Sequence, residues 1–534
     1  MSCKTFPVDA SNEGPYQQNP AIQLFGNRFF TDQTPIELLI EFLLIAAATK
    51  CINDDTKFKT CFPEKKILRE WAEEPLRYAP KARLNLKLFS FLGISKLDSR
   101  HNIHIRHYQD LTRKFIELID MPSSGNKEDV VRALENLFLG YQGAGSGRTW
   151  CAQSFLPIGK NFIAGETIWK AERARKNAPQ DWEDLIDGHV TYFDTNQHVF
   201  LARGGEVLYL QICNAFKRSE DEVRTWLDNS DLQLRIEEQH PEKLLSLLEN
   251  ELQKILHQCP ETVNEIAHLI DECIESDTSA ATDAKGENER FVKAGWCPVD
   301  SWQEGYLFAV DVLRLCQANL SIIDRIYLLG IACAIHVIRS MGRQSARAII
   351  GSKDLTDIGY LWAFSAPEET RVPIKRVSHH SAKAMEKMIF EAIRNPEIKL
   401  HPTKKTIDQS LKDADKNYAG KLFLKIAKRI GLIVPRRGRG ERFVLNEQIL
   451  RFLVLAIVPP GGRLTYDTFK KRVTARFGMV FDAEGLAEAA RWSDFGTGIH
   501  LPGDSDYWLQ DMLKAAGLLM QLSDSCSMVI NPGN

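Results

Sequence analysis

The sequence has no C-x-x-C pair, although it holds eleven cysteines, at positions 3, 51, 61, 151, 213, 259, 273, 297, 316, 333 and 526. An odd number without paired spacing argues against a disulfide framework and for a reducing, cytoplasmic setting. It also lacks a long apolar run. The longest, Ile36 to Ala48, carries Glu37 and Glu41 and falls short of the roughly 20 residues that a membrane span requires, so no membrane partner is expected. The first twenty residues contain no basic stretch leading into an apolar core, which speaks against a secretory signal. Nucleophile elbows of the form G-x-S-x-G, zinc helices of the form H-E-x-x-H and a deaminase H-x-E with P-C-x-x-C are all missing. These absences point away from enzymatic chemistry, and neither a metal nor a cofactor is expected.

The chain is 534 residues long, which at about 150 residues per domain suggests roughly three to four folding units. Hydrophobic residues make up 44% and charged residues 26%, which excludes disordered and fibrous classes and leaves enough apolar side chains for several cores. Lys and Arg number 68 against 70 Asp and Glu, a formal charge of −2, and its distribution is uneven. From Lys421 to Arg476 there are 14 basic residues against Glu441, Glu447 and Asp467, a surplus of +11 that leaves about −13 for the remainder. Such a split is what a segment that meets a polyanion requires while the rest keeps the chain soluble.

Periodicity predicts a mainly α protein, a multi-domain helical body with C-terminal tandem winged-helix-like (α+β) units. Thr34, Pro35 and Glu37 form a capping-box start to a buried helix running to about Thr49. Further helices are predicted over Tyr108 to Ile119, Lys127 to Leu139 and Glu220 to Glu275, the last interrupted by Pro241 and Pro260. Residues Ser276 to Glu289 contain no large apolar side chain and read as an exposed loop. Tyr306 to Ala318 and Leu320 to Met341 are two core helices, with His336 expected as a hydrogen-bonded core residue. The predicted domains are 1–275, a linker over 276–292, a helical domain over 293–395, a basic winged-helix-like unit over 396–460 and a second such unit over 461–534.

The C-terminal pattern is the most specific. Lys383 to Arg394, Thr406 to Asp413 and Tyr418 to Ile430 read as three helices, closed by Gly431. Leu432 to Val434 and Arg442 to Leu445 then form a hairpin around Arg436 to Gly440, and Asn446 caps a helix over Glu447 to Ile457. The same ending recurs: a helix over Tyr507 to Ala516, Gly517, apolar runs Leu518 to Leu522 and Ser527 to Ile530, then Asn531. Gly431 precedes Asn446 by 15 positions and Gly517 precedes Asn531 by 14. The predicted nucleic-acid-binding residues are Lys421, Lys425, Lys428 and Arg429 on the third helix and Arg436, Arg437, Arg439 and Arg442 in the wing, contacts that position a duplex without reading its sequence. The alternative is a solvated basic face on a protein-interaction unit.

Other polar constellations are weaker. Gly140 and Gly145 have phosphate-loop spacing, but Ser146 stands where the lysine is needed, so a plain loop is expected. His101, His104 and His107 have only Asp110 nearby and read as surface histidines, and His379-His380 has no partner spacing. At His198 to Gln211, Arg203-Gly204-Gly205-Glu206 interrupts an apolar run at a helix start, where backbone N–H groups make an anion site. His198, Arg203 and Glu206 are the catalytic candidates least poorly placed, against the reading that Glu206 caps a buried helix and pairs with Arg203.

The stretches HVFLARGGEVLYLQ, PRRGRGERFVLNEQILRFLVLAIVPPGG and LSDSCSMVINP resemble parts of large proteins encoded in bacterial antiviral defence islands. The resemblance covers a minor part of the chain and carries no catalytic residue. It implies an accessory subunit working beside a separate helicase or nuclease. Three functions follow as expectations: a non-enzymatic scaffold that binds double-stranded DNA in an antiviral defence complex, a large winged-helix transcriptional regulator, or an enzyme with a dispersed site around Arg203 and Glu206.

Overall fold

Helix α1, Pro35–Ala47, begins with the expected capping box: the Glu37 amide donates to Thr34 Oγ1 at 3.2 Å and the Thr34 amide to Glu37 Oε2 at 2.6 Å. It ends under a buried cation. Lys50 Nζ donates to the carbonyls of Ile45, Ala46 and Ala48 at 2.8, 2.9 and 2.7 Å, so one ammonium satisfies three carbonyls at the negative end of the helix. The computed structural model describes residues 4–52, 57–79 apart from 72, 125–138, 203–258 apart from 231, 291–351, 358–496 and most of 501–532, with isolated positions between 113 and 194 and at 265. The predicted helix at Tyr108 to Ile119 and the Ser276 to Glu289 loop lie largely or wholly outside the described residues. Strand Thr49–Cys51 sits in a four-stranded sheet between Lys57–Phe58 and Arg77–Ala79, with Val292–Lys293 beyond. That sheet ties the N-terminal domain to residues that follow the expected linker.

Every residue of α2, Gly204–Phe216, is buried. It packs between α1 and α4, Trp302–Gln317, and glycine makes both crossings close. A Cβ on Gly205 would lie 2.4 Å from the Leu38 carbonyl oxygen, and one on Gly305 would lie 2.1 Å from that of Gln211. Helix α3, Pro241–His257, lays Leu244, Leu248, Leu252 and Ile255 against this centre. The longest helix is α5, Ile322–Ile350, which starts at the Ser321 cap, ends at Gly351 and crosses α1 and α4.

The α4–α5 seam is polar although it is buried. Glu304 accepts from Arg343 and, at 2.7 Å, from Arg347; Asp311 lies 3.6 Å from Arg339. The arginines recur every fourth residue on α5, matching acids two turns apart on α4. His336 Nε2 donates to Gln211 Oε1 at 2.8 Å, the ring stacks on Phe308 at 4.4 Å, and the residue sits in the core as expected. The apolar run Ile326 to Ile338 conceals this seam because its charges follow that run.

Helix α6, Val372–Ala392, starts eleven positions before the expected Lys383. Its buried stripe of Ile374, Val377, Ser378, Ser381, Ala382 and Met385 includes serines, which blunt the apolar signal. Next come α7, Ile407–Asn417, α8, Gly420–Arg429, and two strands in a hairpin, Ile433–Val434 and Arg442–Val444. Strand β1, Trp362–Ser365, lies before α6 and escaped the sequence reading. With the hairpin strands as β2 and β3 and Met479–Val480 as β5, the sheet order is β2-β3-β1-β5, and β1 is parallel to both neighbours. After α9, Glu447–Ile457, strand β4, Arg463–Thr465, leads into α10, Tyr466–Phe477. Helices α11, Ala483–Trp492, and α12, Tyr507–Ala515, precede strands β6, Leu519–Ser523, and β7, Cys526–Ile530. These form an antiparallel sheet in the order β4-β7-β6.

The repeat seen in the sequence is repeated in hydrogen bonds. Gly431 and Gly517 adopt φ of 75° and 69°. The Leu432 amide donates to Ala427 and the Leu518 amide to Leu513, each at 2.8 Å; Val444 donates to Leu432 and Ile530 to Leu518, each at 2.9 Å. The chain is mainly helical with small sheets. One apolar core runs from Phe6 to Val529, and the β1 sheet joins residues on both sides of positions 395 and 460, the boundaries expected from sequence. Seven described cysteines are free thiols, and no described helix is long and apolar enough to cross a membrane.

Candidate nucleic-acid interface

Helix α8 is amphipathic for the reason its sequence gives: Leu422, Phe423, Ile426 and Ala427 are buried while Lys421, Lys425 and Arg429 project from the other side. That basic side is not uniformly open. The segment Thr31 to Gln33 lies along its C-terminal half, where the Thr31 amide donates to the Asn417 carbonyl at 3.0 Å. Arg429 Nη1 donates to the carbonyls of Thr31 and Gln33 at 3.2 and 2.5 Å, and Lys425 pairs with Asp32 at 3.1 Å. Lys428 is also occupied, 3.2 Å from Glu441, which Lys383 approaches to 3.5 Å. Burial pushes the Glu441 carboxyl up, but its backbone hydrogen bond and the two lysines outweigh this and hold it below the usual carboxylate range.

Arg442 fixes the hairpin to the rest of the sheet. Its guanidinium donates to Ser365 Oγ at 2.5 Å and to the carbonyls of Ala366 and Pro367 at 2.9 and 2.7 Å. Burial lowers its pKa, and Glu369 counters this. The remaining wing residues are arranged differently. Arg436, Arg437 and Arg439 are exposed, on a turn whose Gly438 and Gly440 take φ of 102° and 87°. None of the three forms an ion pair among the described residues. Of the eight residues predicted to meet nucleic acid, Lys421 and these three arginines are open, two lysines are ion-paired, and Arg429 and Arg442 hold backbone carbonyls. Lys404, Lys412 and Lys416, on and just before α7, are exposed as well, interspersed with Asp408, Asp413 and Asp415.

The catalytic candidates at the start of α2 form a buried structural cluster. Arg203 Nε stands 3.1 Å from Glu206 Oε1, and Arg203 also donates to the Lys293 carbonyl. Glu206, 2% exposed, accepts from Tyr78 Oη at 2.9 Å and from the Gly295 amide. The helix N-terminus is filled from α1, since the Gly205 amide donates to Glu41 Oε2 at 3.0 Å. Burial raises Glu41 well above its usual pKa, with the Gly205 and Gln33 hydrogen bonds opposing and the charges of Glu206 and Glu37 adding to the rise. The Glu41 carboxylate thus takes the Gly205 amide that an external anion would need. His198 lies outside the described residues, as do His101, His104 and His107 and most of Gly140 to Thr149. His379 Nδ1 lies 2.7 Å from the Glu441 carbonyl oxygen, and the His380 ring lies tilted against Phe495, 4.0 Å between centroids. Among the described residues no group of three His, Cys, Asp or Glu side chains is placed to hold a metal.

No protein-family model, curated protein or solved structure matches the chain.

Proposed function

We propose that the protein is a non-enzymatic, DNA-binding accessory or scaffold component of a prokaryotic antiviral defence complex, acting beside a separate helicase or nuclease. In this reading the two C-terminal repeats are winged-helix units. The order α6-α7-α8-β2-β3 in the first, and the β4-β7-β6 sheet around α10 and α12 in the second, support that assignment. One observation carries the nucleic-acid reading: three unpaired, exposed arginines occupy a five-residue glycine-bearing turn at the end of the hairpin. Guanidiniums free of acidic partners are ready to take phosphate oxygens, and the glycines let the turn approach a backbone closely. The body supplies partner surface, and the defence setting rests on the sequence resemblance.

The first test uses the full chain, because the wing shares its sheet and core with residues before position 395. R436A/R437A/R439A should weaken binding to every duplex sequence alike. It should also flatten the slope of log affinity against log salt by up to about three units, as expected if each arginine neutralises one phosphate. Unchanged affinity and slope would remove the wing from the interface. Arg429→Ala serves as the contrast: it should lower thermal stability, since it frees two backbone carbonyls, while changing the salt slope by less than one unit.

A further inference from the structure

A small cavity, partly open to solvent, lies between α4, α10 and the chain before Arg235. Its polar lining consists of three guanidiniums, from Arg314, Arg472 and Arg476, and the Gln233 side chain, and its walls include Leu232 and Ile457. Arg472 and Arg476 are one helical turn apart on α10 and so share a face.

Among the described residues the charges around the cavity do not balance. Arg314 donates to Glu238 at 2.8 and 2.6 Å, and Glu238 is shared with Arg235 at 2.6 Å. Arg476 pairs with Asp311 at 2.5 Å, an acid that Arg339 also approaches to 3.6 Å. Arg472 has no acidic partner among the described residues; its Nη2 donates to the neutral Gln233 side chain at 2.9 Å. With Glu237, 3.4 Å from Arg235, the cluster sets five arginines against three acids among the described residues, a surplus of two positive charges there. The carbonyls of Ala456 and Ile457 at the C-terminus of α9 take up part of that surplus through Arg314 and Arg476, but a helix terminus offers only about half a charge. Arg476 Nε is buried and makes no hydrogen bond among the described residues. Burial, then the charge of Arg314, pull the pKa of Arg472 down. A buried N–H without an acceptor and a guanidinium without a counter-charge, at one cavity, are both relieved by the same occupant.

We infer that this cavity binds a small oxyanion of the phosphate class, held by Arg472 and Arg476. Water would satisfy the Arg476 Nε–H and leave the charge surplus in place, whereas an oxyanion answers both. The arginines carry different duties. Arg314 and Arg476 also hold the α9 carbonyls and the body acids, so they shape the cavity, while Arg472 is free to serve the ligand. This site is separate from the wing and does not depend on the DNA-binding reading.

The probe is inorganic phosphate, titrated calorimetrically into the full-length protein against sodium chloride of equal ionic strength. Wild-type protein should bind one phosphate saturably, and R472Q, with a circular dichroism spectrum matching wild type, should bind at least tenfold more weakly. L232W keeps every charge and fills the cavity, so it should lose binding as well, and it decides the matter if R472Q does not fold. R436A/R437A/R439A should bind phosphate like wild type, which separates this site from the wing. A 5′-phosphorylated dinucleotide titrated in parallel distinguishes the sources: binding of both ligands assigns the cavity to a nucleic-acid terminus, and binding of phosphate alone assigns it to the free ion. Absence of saturable binding to wild type, or equal binding by wild type, R472Q and L232W, overturns the proposal.

Discussion

Glu206 illustrates how much one buried carboxylate can hold at the residue scale. It receives Arg203, Tyr78 and the Gly295 amide, so its removal takes the counter-charge from a guanidinium that keeps its bond to the Lys293 carbonyl and leaves two further donors unmet. Glu206→Ala should therefore destabilise the chain by about 3–5 kcal/mol, read from urea unfolding, because an uncompensated buried charge costs more than the pair contributes. His336 makes a prediction in pH. Burial, and then the charge of Arg339, hold its imidazole well below the ordinary pKa of 6.5. The unfolded chain consequently takes up a proton near 6.5 that the folded chain refuses. Stability should fall as pH drops below about 6.5, at up to about 1.4 kcal/mol per pH unit. His380, lowered by burial and then by His379 and Arg376, acts with the same sign. The slope of unfolding free energy between pH 6.5 and 5.5 should be reduced in His336→Gln, and an unaltered slope would show that His336 titrates normally.

Among elements, the two repeats offer an internal control. Gly431 and Gly517 share the same left-handed backbone, yet a Cβ on Gly431 would meet Asn446 Nδ2 at 2.6 Å, whereas one on Gly517 meets nothing within 4 Å. Asn446 Nδ2 donates to the Ile430 carbonyl at 2.7 Å. Gly517→Ala should cost about 1 kcal/mol from backbone strain alone, and Gly431→Ala at least twice that, because it also displaces this amide. Equal losses in thermal unfolding would mean that the amide moves without cost. The same repeats show which elements the sequence makes legible. Helices with a side-chain cap, such as α1 and α9, or a glycine stop, such as α8, are readable because these signals are local. Strands β1, β4 and β5 have only two to four residues, too short for alternation to show, and their partners are remote in sequence. The open or occupied state of each basic residue was hidden for a related reason: Asp32 and the Thr31 carbonyl, which engage Lys425 and Arg429, lie nearly 400 positions away.

For the whole molecule, the buried ionic seam is where the C-terminal repeats are fastened to the body. Burial moves both partners of its central pair towards neutrality, Asp311 upwards and Arg476 down to about 10, so the pair survives on geometry and on Arg339 nearby. Arg476→Met should destabilise by about 3 kcal/mol or more, and adding Asp311→Asn should recover part of the loss; the coupling in this double-mutant cycle should exceed about 1 kcal/mol. Strictly additive losses would mean that the contact fastens nothing. The position of β1 matters while the chain is being made. Its neighbours β3 and β5 are translated well after it, the second ending at residue 480 when β1 ends at 365. At ribosomal speeds of about 5–20 residues per second, that delay is on the order of ten seconds. Until β3 is made, Trp362, Ala363 and Phe364 are an apolar segment with both strand edges unpaired, and until β5 is made one edge stays open, a stretch of the nascent protein suited to a chaperone's cover.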